Sequence, residues 1–275
     1  MLRVLLAVVL ALAGCATTLR HFARRAPMMR DDDMRPWGPM PAARRVTPVR
    51  EAADHLILGP IRDALWVRGD RDEAIDVNAL DEVPDSSWYT NREPTPAEAA
   101  RGACDEPLDL AGPWTVVGMP PRGIEIETTG GARLLLETDD RDRPELATAA
   151  EAIASRLYHA AGFRVSCTRV VYFAPSILRL GRRPRAPVDA VLRRAARGPG
   201  GTVRASLREL SPAVPLGPFS FSGTRGDDPN DVVPHEDRRE LRASALLATW
   251  TNHFDCGARA TLDVWRATGT GVGYV

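Results

Sequence analysis

Between residues 114 and 173 the apolar spacing changes period, and that change limits the folds open to the chain more than any other feature. Residues 114–118, 123–129 and 133–138 read as three strands. The second alternates Ile124, Glu125, Ile126 and Glu127, one face in and one out. Gly130 and Gly131 supply the tight hairpin turn that follows. Residues 144–161 read as a helix, with Pro144 in its first turn and Gly162 just past its end. On a helical wheel Leu146, Ala150, Ile153, Leu157 and Ala161 share one stripe, and Glu151 lies off it. A β-rich run follows at 164–173. Meander, helix and strand predict an α+β fold, a small antiparallel sheet with a helix packed on it. An incomplete helical lobe is expected after it.

The flanks set the expected organisation. Residues 1–15 form a leader and lipid-attachment site. Residues 16–48, rich in Arg, Pro, Met and Asp with no apolar period, form a tether. Residues 49–112 are a helical and loop extension, with helical spacing at 51–66. The sheet and helix occupy 113–178. Residues 179–208 hold nine arginines and one acid, Asp189, among prolines and glycines, and read as a solvated basic insertion. A functional alternative for that stretch is an anion-binding arm, with Arg182, Arg183, Arg193 and Arg194 as its donors. The partial C-terminal lobe is 209–275, with a helix at 236–250 that buries Leu241, Ala245, Leu247 and Ala248.

Residues 4–12 are an apolar run too short to span a bilayer, and Leu12-Ala13-Gly14-Cys15 resembles a bacterial lipobox. The implied mature chain begins at an acylated Cys15. Ala16 favours the outer membrane, and the localisation expected is a lipid-anchored protein of the cell envelope. Cys104, Cys167 and Cys256 remain; an oxidising periplasm allows one pair to form a disulfide and leaves one thiol, with the pairing open. The 36 basic and 36 acidic side chains cancel, which argues against a nucleic-acid partner. All the cations are arginine. Without lysine, a Schiff base or a P-loop is excluded.

Chemistry has few places to sit. There is no GxSxG elbow, no HExxH and no CxxC. Asp227, Asp228 and Asp231 could offer oxygens to a hard cation, although Asp and Asn beside Pro229 also build turns. Asn252, His253 and Asp255 follow an apolar helix, as the catalytic loop of a kinase does. In a kinase an Asn five residues after the Asp holds a metal ion, and here that residue is Ala260.

Residues 81–92 (DEVPDSSWYTNR), Pro144-Glu145-Leu146-Ala147-Thr148, Gly223-Thr224-Arg225 with residues 227–231, Pro234-His235-Glu236 and residues 252–263 together resemble, in order, a family of uncharacterised bacterial exported proteins and lipoproteins. That family in turn is similar to atypical protein-kinase-like and lipid-kinase-like folds. The resemblance implies a lysine where this chain has Glu137, a metal-binding Asn where it has Ala260, and an Asp-Phe-Gly turn that does not occur. It leaves Glu151 without a lysine to hold and Asp255 as the one acid positioned for a hydroxyl, with His253 beside it. The function expected is therefore a non-catalytic, lipid-anchored envelope protein that binds an envelope partner or an anion, with no cofactor favoured. One alternative is an atypical phosphotransferase using Asp255, which alone would bring Mg²⁺ and ATP. A second is the truncated product of a disrupted gene.

Overall fold

A computed structural model describes residues 27–31, 33–45, 53, 56–57, 74–104, 107–253 and 256–275. Cys15, Asp255 and most of the helical spacing at 51–66 lie outside the described residues. The fold is α+β. A short helix α1 (Pro96–Arg101), closed by a capping box from Thr95 and Glu98, precedes the sheet. The meander is β1 (Trp114–Gly118), β2 (Ile124–Glu127) and β3 (Arg133–Thr138). Ile124 lies opposite Leu136 and Ile126 opposite Leu134, so the inward face of each strand meets that of its neighbour.

The sheet is larger than the sequence suggested, and it is mixed. Helix α2 (Leu146–Ala160) leads to β4 (Thr168–Phe173). Then come β5 (Leu178–Arg179), helix α3 (Arg185–Arg194) and β6 (Val203–Glu209). The order is β4-β6-β3-β2-β1-β5, antiparallel except where β5 runs parallel to β1 at the edge. Residues 179–208 are therefore not an insertion. They supply α3, which buries Val188, and β6, which lies between β3 and β4. Along β6, Val203, Ala205 and Leu207 join the core, while Arg204, Ser206 and Arg208 point to the opposite face, as strand alternation requires. The arginines of β6 are its outward half.

That opposite face carries α2, turned differently from the wheel. Its buried residues are Thr148 and Ala152, whereas Leu146 and Ile153 are 58% and 57% exposed. Polar contacts set the rotation. The Thr148 amide and hydroxyl donate to Asp139 Oδ1 and Oδ2 at 2.9 and 2.7 Å, and Arg204 Nη1 donates to Asp139 Oδ2 at 3.2 Å. Asp139 is fully buried, and from outside the helix it satisfies an amide that the first turn leaves open. Removing one side of a buried ion pair costs about 3–5 kcal/mol. Asp139→Ala is expected to lower unfolding free energy by about that amount; a denaturant midpoint matching the wild type would contradict this anchor.

The C-terminal part is not a helical lobe. Among the described residues it holds one α-helix, α4 (Arg239–Trp250), and a sheet of β7 (Val214–Gly217), β8 (Asp263–Ala267) and β9 (Gly273–Tyr274) in that order. On α4, Glu240, Leu241 and Ala248 are buried, while Ala245 faces outward. The described residues between 27 and 45 are no tether either. Trp37 exchanges backbone hydrogen bonds with Gly273 at 2.7 and 2.9 Å and meets the Trp265 ring edge-on at 5.0 Å. The Arg44 amide donates to the Leu216 carbonyl at 2.6 Å. Cys104 and Cys167 form a disulfide that ties the approach to β1 to the start of β4, and Cys256 is a free thiol.

Candidate functional site

An open groove of about 2300 Å³ runs between the α2 face of the large sheet and the C-terminal part. One wall is α2, whose Ala150, Ile153 and Leu157 line it. Ala245 and Trp250 of α4 face it from the other side. The middle of the apolar stripe read from the sequence, Ala150, Ile153 and Leu157, thus belongs to the groove and not to the core.

Glu151 stands at the base of the α2 wall and does not lack a partner. The Ser206 hydroxyl donates to Glu151 Oε2, and Arg208 Nε lies 3.6 Å from Glu151 Oε1. Arg208 Nη2 also reaches Glu137 Oε2 at 4.0 Å. The cation beside the helix glutamate comes from β6, next to the strand on which the resemblance implied a lysine. Burial pushes the Glu137 carboxyl above its usual range, Glu151 adds to the shift, and Arg208 and Arg122 oppose it. On the facing side, Asn252 ends α4 with a left-handed φ of 56°. His253 then lies with Nδ1 3.2 Å from the Tyr158 hydroxyl. Glu151 and His253 therefore both line the groove, on different walls.

The three acids proposed as metal ligands do not share a point. Asp227 pairs with Arg44 at 2.9 Å and Arg225 at 3.0 Å. Asp228 accepts the Asn230 amide at 2.8 Å in its own turn. Asp231 is buried against His235, with Nε2 2.8 Å from its Oδ2. Among the described residues no group of three or more His, Cys, Asp or Glu side chains converges as a metal site. Arg182 and Arg183 precede α3, and Arg193 and Arg194 end it; all four are exposed. A ten-residue helix is about 15 Å long, so the two pairs cannot close on one small anion.

What the sequence did not show is how its motifs meet. Trp88, from residues 81–92, packs edge-on against Phe219 at 4.5 Å and His235 at 4.9 Å, with the Arg238 guanidinium over its ring at 5.5 Å. Arg238, 1% exposed, donates to Asp31 at 2.8 Å and lies 3.6 Å from Glu240 and 3.9 Å from Asp231. Arg225 donates to Asp263 and to the Ala42 carbonyl, each at 2.8 Å, and its amide donates to Asp231. His235 Nδ1 faces the Ser220 carbonyl. Burial opposes ionisation of Asp231, but the hydrogen bonds from His235 and the Arg225 amide outweigh it and hold its pKa below the usual range. The Asp33 carboxylate takes the Ser87 amide at 2.9 and 3.0 Å; burial still pushes its pKa up, against the Ser87 hydrogen bonds. Gly162 completes the assembly: at φ 99° a Cβ there would strike the Tyr89 ring, and its carbonyl accepts the Thr90 amide at 2.9 Å.

No protein-family model, curated protein or solved structure matches the chain.

Proposed function

We propose that this chain is a lipid-anchored protein of the cell envelope, held through Cys15, that binds an envelope partner or an anion and catalyses no reaction. It is read as a relative of the exported family its motifs resemble, with a degenerate kinase-like core. The observation that carries the non-catalytic reading is the condition of the motif residues. Arg225, Asp231, His235 and Arg238 are at most 8% exposed, and each bonds within the cluster or to Asp31, Asp263, the Ala42 carbonyl or the Ser220 carbonyl, although Asp231 Oδ1, Arg225 Nε and Arg238 Nε and Nη2 find no hydrogen-bond partner among the described residues. A general acid or base must reach its substrate within hydrogen-bond distance, and groups held this way brace the fold instead. The Cys104–Cys167 disulfide supports an oxidising compartment. The groove supports binding, because Ile153, Phe221 and Trp250 leave apolar surface along it.

One observation favours the phosphotransferase reading: Arg208, tied to Glu151, puts a cation in the groove. Magnesium demands near-octahedral oxygens, commonly one or two carboxylates together with phosphates. Asp227, Asp228 and Asp231 are drawn apart by arginines and turn amides, so they do not fit such an ion. The full chain with labelled ATP and magnesium or manganese is expected to show no label transfer. Transfer that disappears in Arg208→Ala would reverse the reading. Mass spectrometry of the protein from its membrane fraction is expected to find acyl chains on Cys15 and none on Cys15→Ala.

A further inference from the structure

Nine arginines fall between residues 179 and 208, and the fate of their charge decides what this face of the molecule meets. Two are neutralised locally, Arg204 by Asp139 and Arg208 by Glu151. The other seven are exposed. Several hydrogen-bond to backbone carbonyls: Arg179 to Ser176 at 2.7 Å, Arg197 to Leu192 at 3.1 Å, and Arg183 to Val117. A carbonyl satisfies a donor and leaves the unit charge in place. Arg185 lies 3.8 Å from Asp189. No acid among the described residues pairs with Arg182, Arg183, Arg193 or Arg194. Arg141 joins the same face, donating to the Arg193 carbonyl at 2.7 Å.

The spacing is fixed because α3 is seated in the core by Val188 and by Ala195 just past its end. Two arginine pairs about 15 Å apart on one rigid helix are poorly placed for a single phosphate and well placed for an array of them. We propose that the α3 face docks on a bilayer surface rich in anionic phospholipid headgroups. The proposal rests on the envelope reading above and gives the anion in that reading its identity. Attraction of this kind is additive per arginine and acts within a Debye length, so it weakens as salt rises.

The test uses the full chain carrying Cys15→Ser, so that acylation cannot hold it to lipid. It compares vesicles of phosphatidylglycerol with vesicles of phosphatidylcholine. Residues 4–12 contribute to both, so the readout is the difference between them. At low salt, partition onto phosphatidylglycerol is expected to exceed that onto phosphatidylcholine by about a hundredfold or more, and the difference should vanish near about 1 M salt. Changing Arg182, Arg183, Arg193 and Arg194 together to Gln should lower the anionic partition about a hundredfold or more, while changing them to Lys should leave it within about threefold. The Gln pairs at either end of α3, made separately, should each give roughly a tenfold loss, so the result does not depend on the fourfold variant folding. Equal partition onto the two vesicle types, an unchanged partition for folded Gln variants, or stronger binding to a duplex oligonucleotide than to vesicles would overturn the proposal. Acylation of Cys15 in the wild type is read separately. A protein without acyl chains that still prefers anionic vesicles would remove the anchor and keep the docking face.

Discussion

Arg238→Ala is expected to lower unfolding free energy by about 3–5 kcal/mol, a large part of the roughly 5–15 kcal/mol that holds a domain together. Arg238 lies within 4.0 Å of Asp31, Asp231 and Glu240 together, and it is 1% exposed. Burial opposes its charge, yet the hydrogen bond and charge of Asp31 outweigh that and raise its pKa further. Alanine leaves Asp31, Asp231 and Glu240 without the cation they share. It also removes the guanidinium from the Trp88 ring, a contact worth about 0.5–2 kcal/mol when desolvated. Lysine restores the charge but not the planar fork, so Arg238→Lys should recover only part of the loss. Chemical denaturation of the three proteins at one pH tests this. A variant Arg238→Ala with the wild-type midpoint would mean that the network forms without contributing stability.

The same residues mark where the sequence was legible and where it was not. The meander could be read because β2 alternates cleanly and a Gly-Gly turn follows it. Strand β6 alternates just as strictly, but its outward positions are Arg204, Ser206 and Arg208, and inside an arginine-rich stretch that pattern looks like a solvated run. The position of α2 was legible while its rotation was not. A wheel weighs hydrophobicity, whereas Asp139 and Ser206 turned the helix through hydrogen bonds from other elements. Residues 27–45 have no apolar period because they dock through Asp31, Asp33, Trp37 and backbone amides. Asp31 and Arg238 are separated by 207 positions, and no local spacing announces such a pair. For the candidate site, Glu151 and His253 were found as individual residues. The cation that holds Glu151 is not legible in the sequence, because the resemblance implies it on β3 and the charge arrives from β6.

Stability is expected to fall as pH rises from about 5 to about 8, and Glu240 is the main cause. The residue opens α4 beneath an apolar hollow lined by Tyr89, Phe163 and Leu247, and it is 2% exposed. Burial pushes its pKa from 4.5 up to about 8, and the facing Asp76 carboxyl pushes the same way through a hydrogen bond and through its charge. Arg238 pulls in the opposite direction and does not win. Asp76 Oδ1 is already engaged with the Arg239 amide at 2.9 Å, which holds the second acid in place. In the unfolded chain Glu240 loses its proton near 4.5, whereas in the native protein it keeps it until about 8. Between those values the native state binds the extra proton, so each rising pH unit costs up to about 1.4 kcal/mol, and the whole window at most roughly 5 kcal/mol. Asp33, Asp228, Asp263 and Glu137, all raised by burial, tilt stability the same way at lower pH, and Asp231, whose pKa is lowered, tilts it the other way in acid. Glutamine at position 240 keeps a donor for Asp76 and cannot ionise. Urea unfolding at pH 5, 6.5 and 8 should therefore show a falling midpoint in the wild type and a nearly level one in Glu240→Gln. If the variant loses stability with pH as steeply as the wild type, the proton sits elsewhere, and the Asp76–Glu240 pair does not set the alkaline limit of this fold.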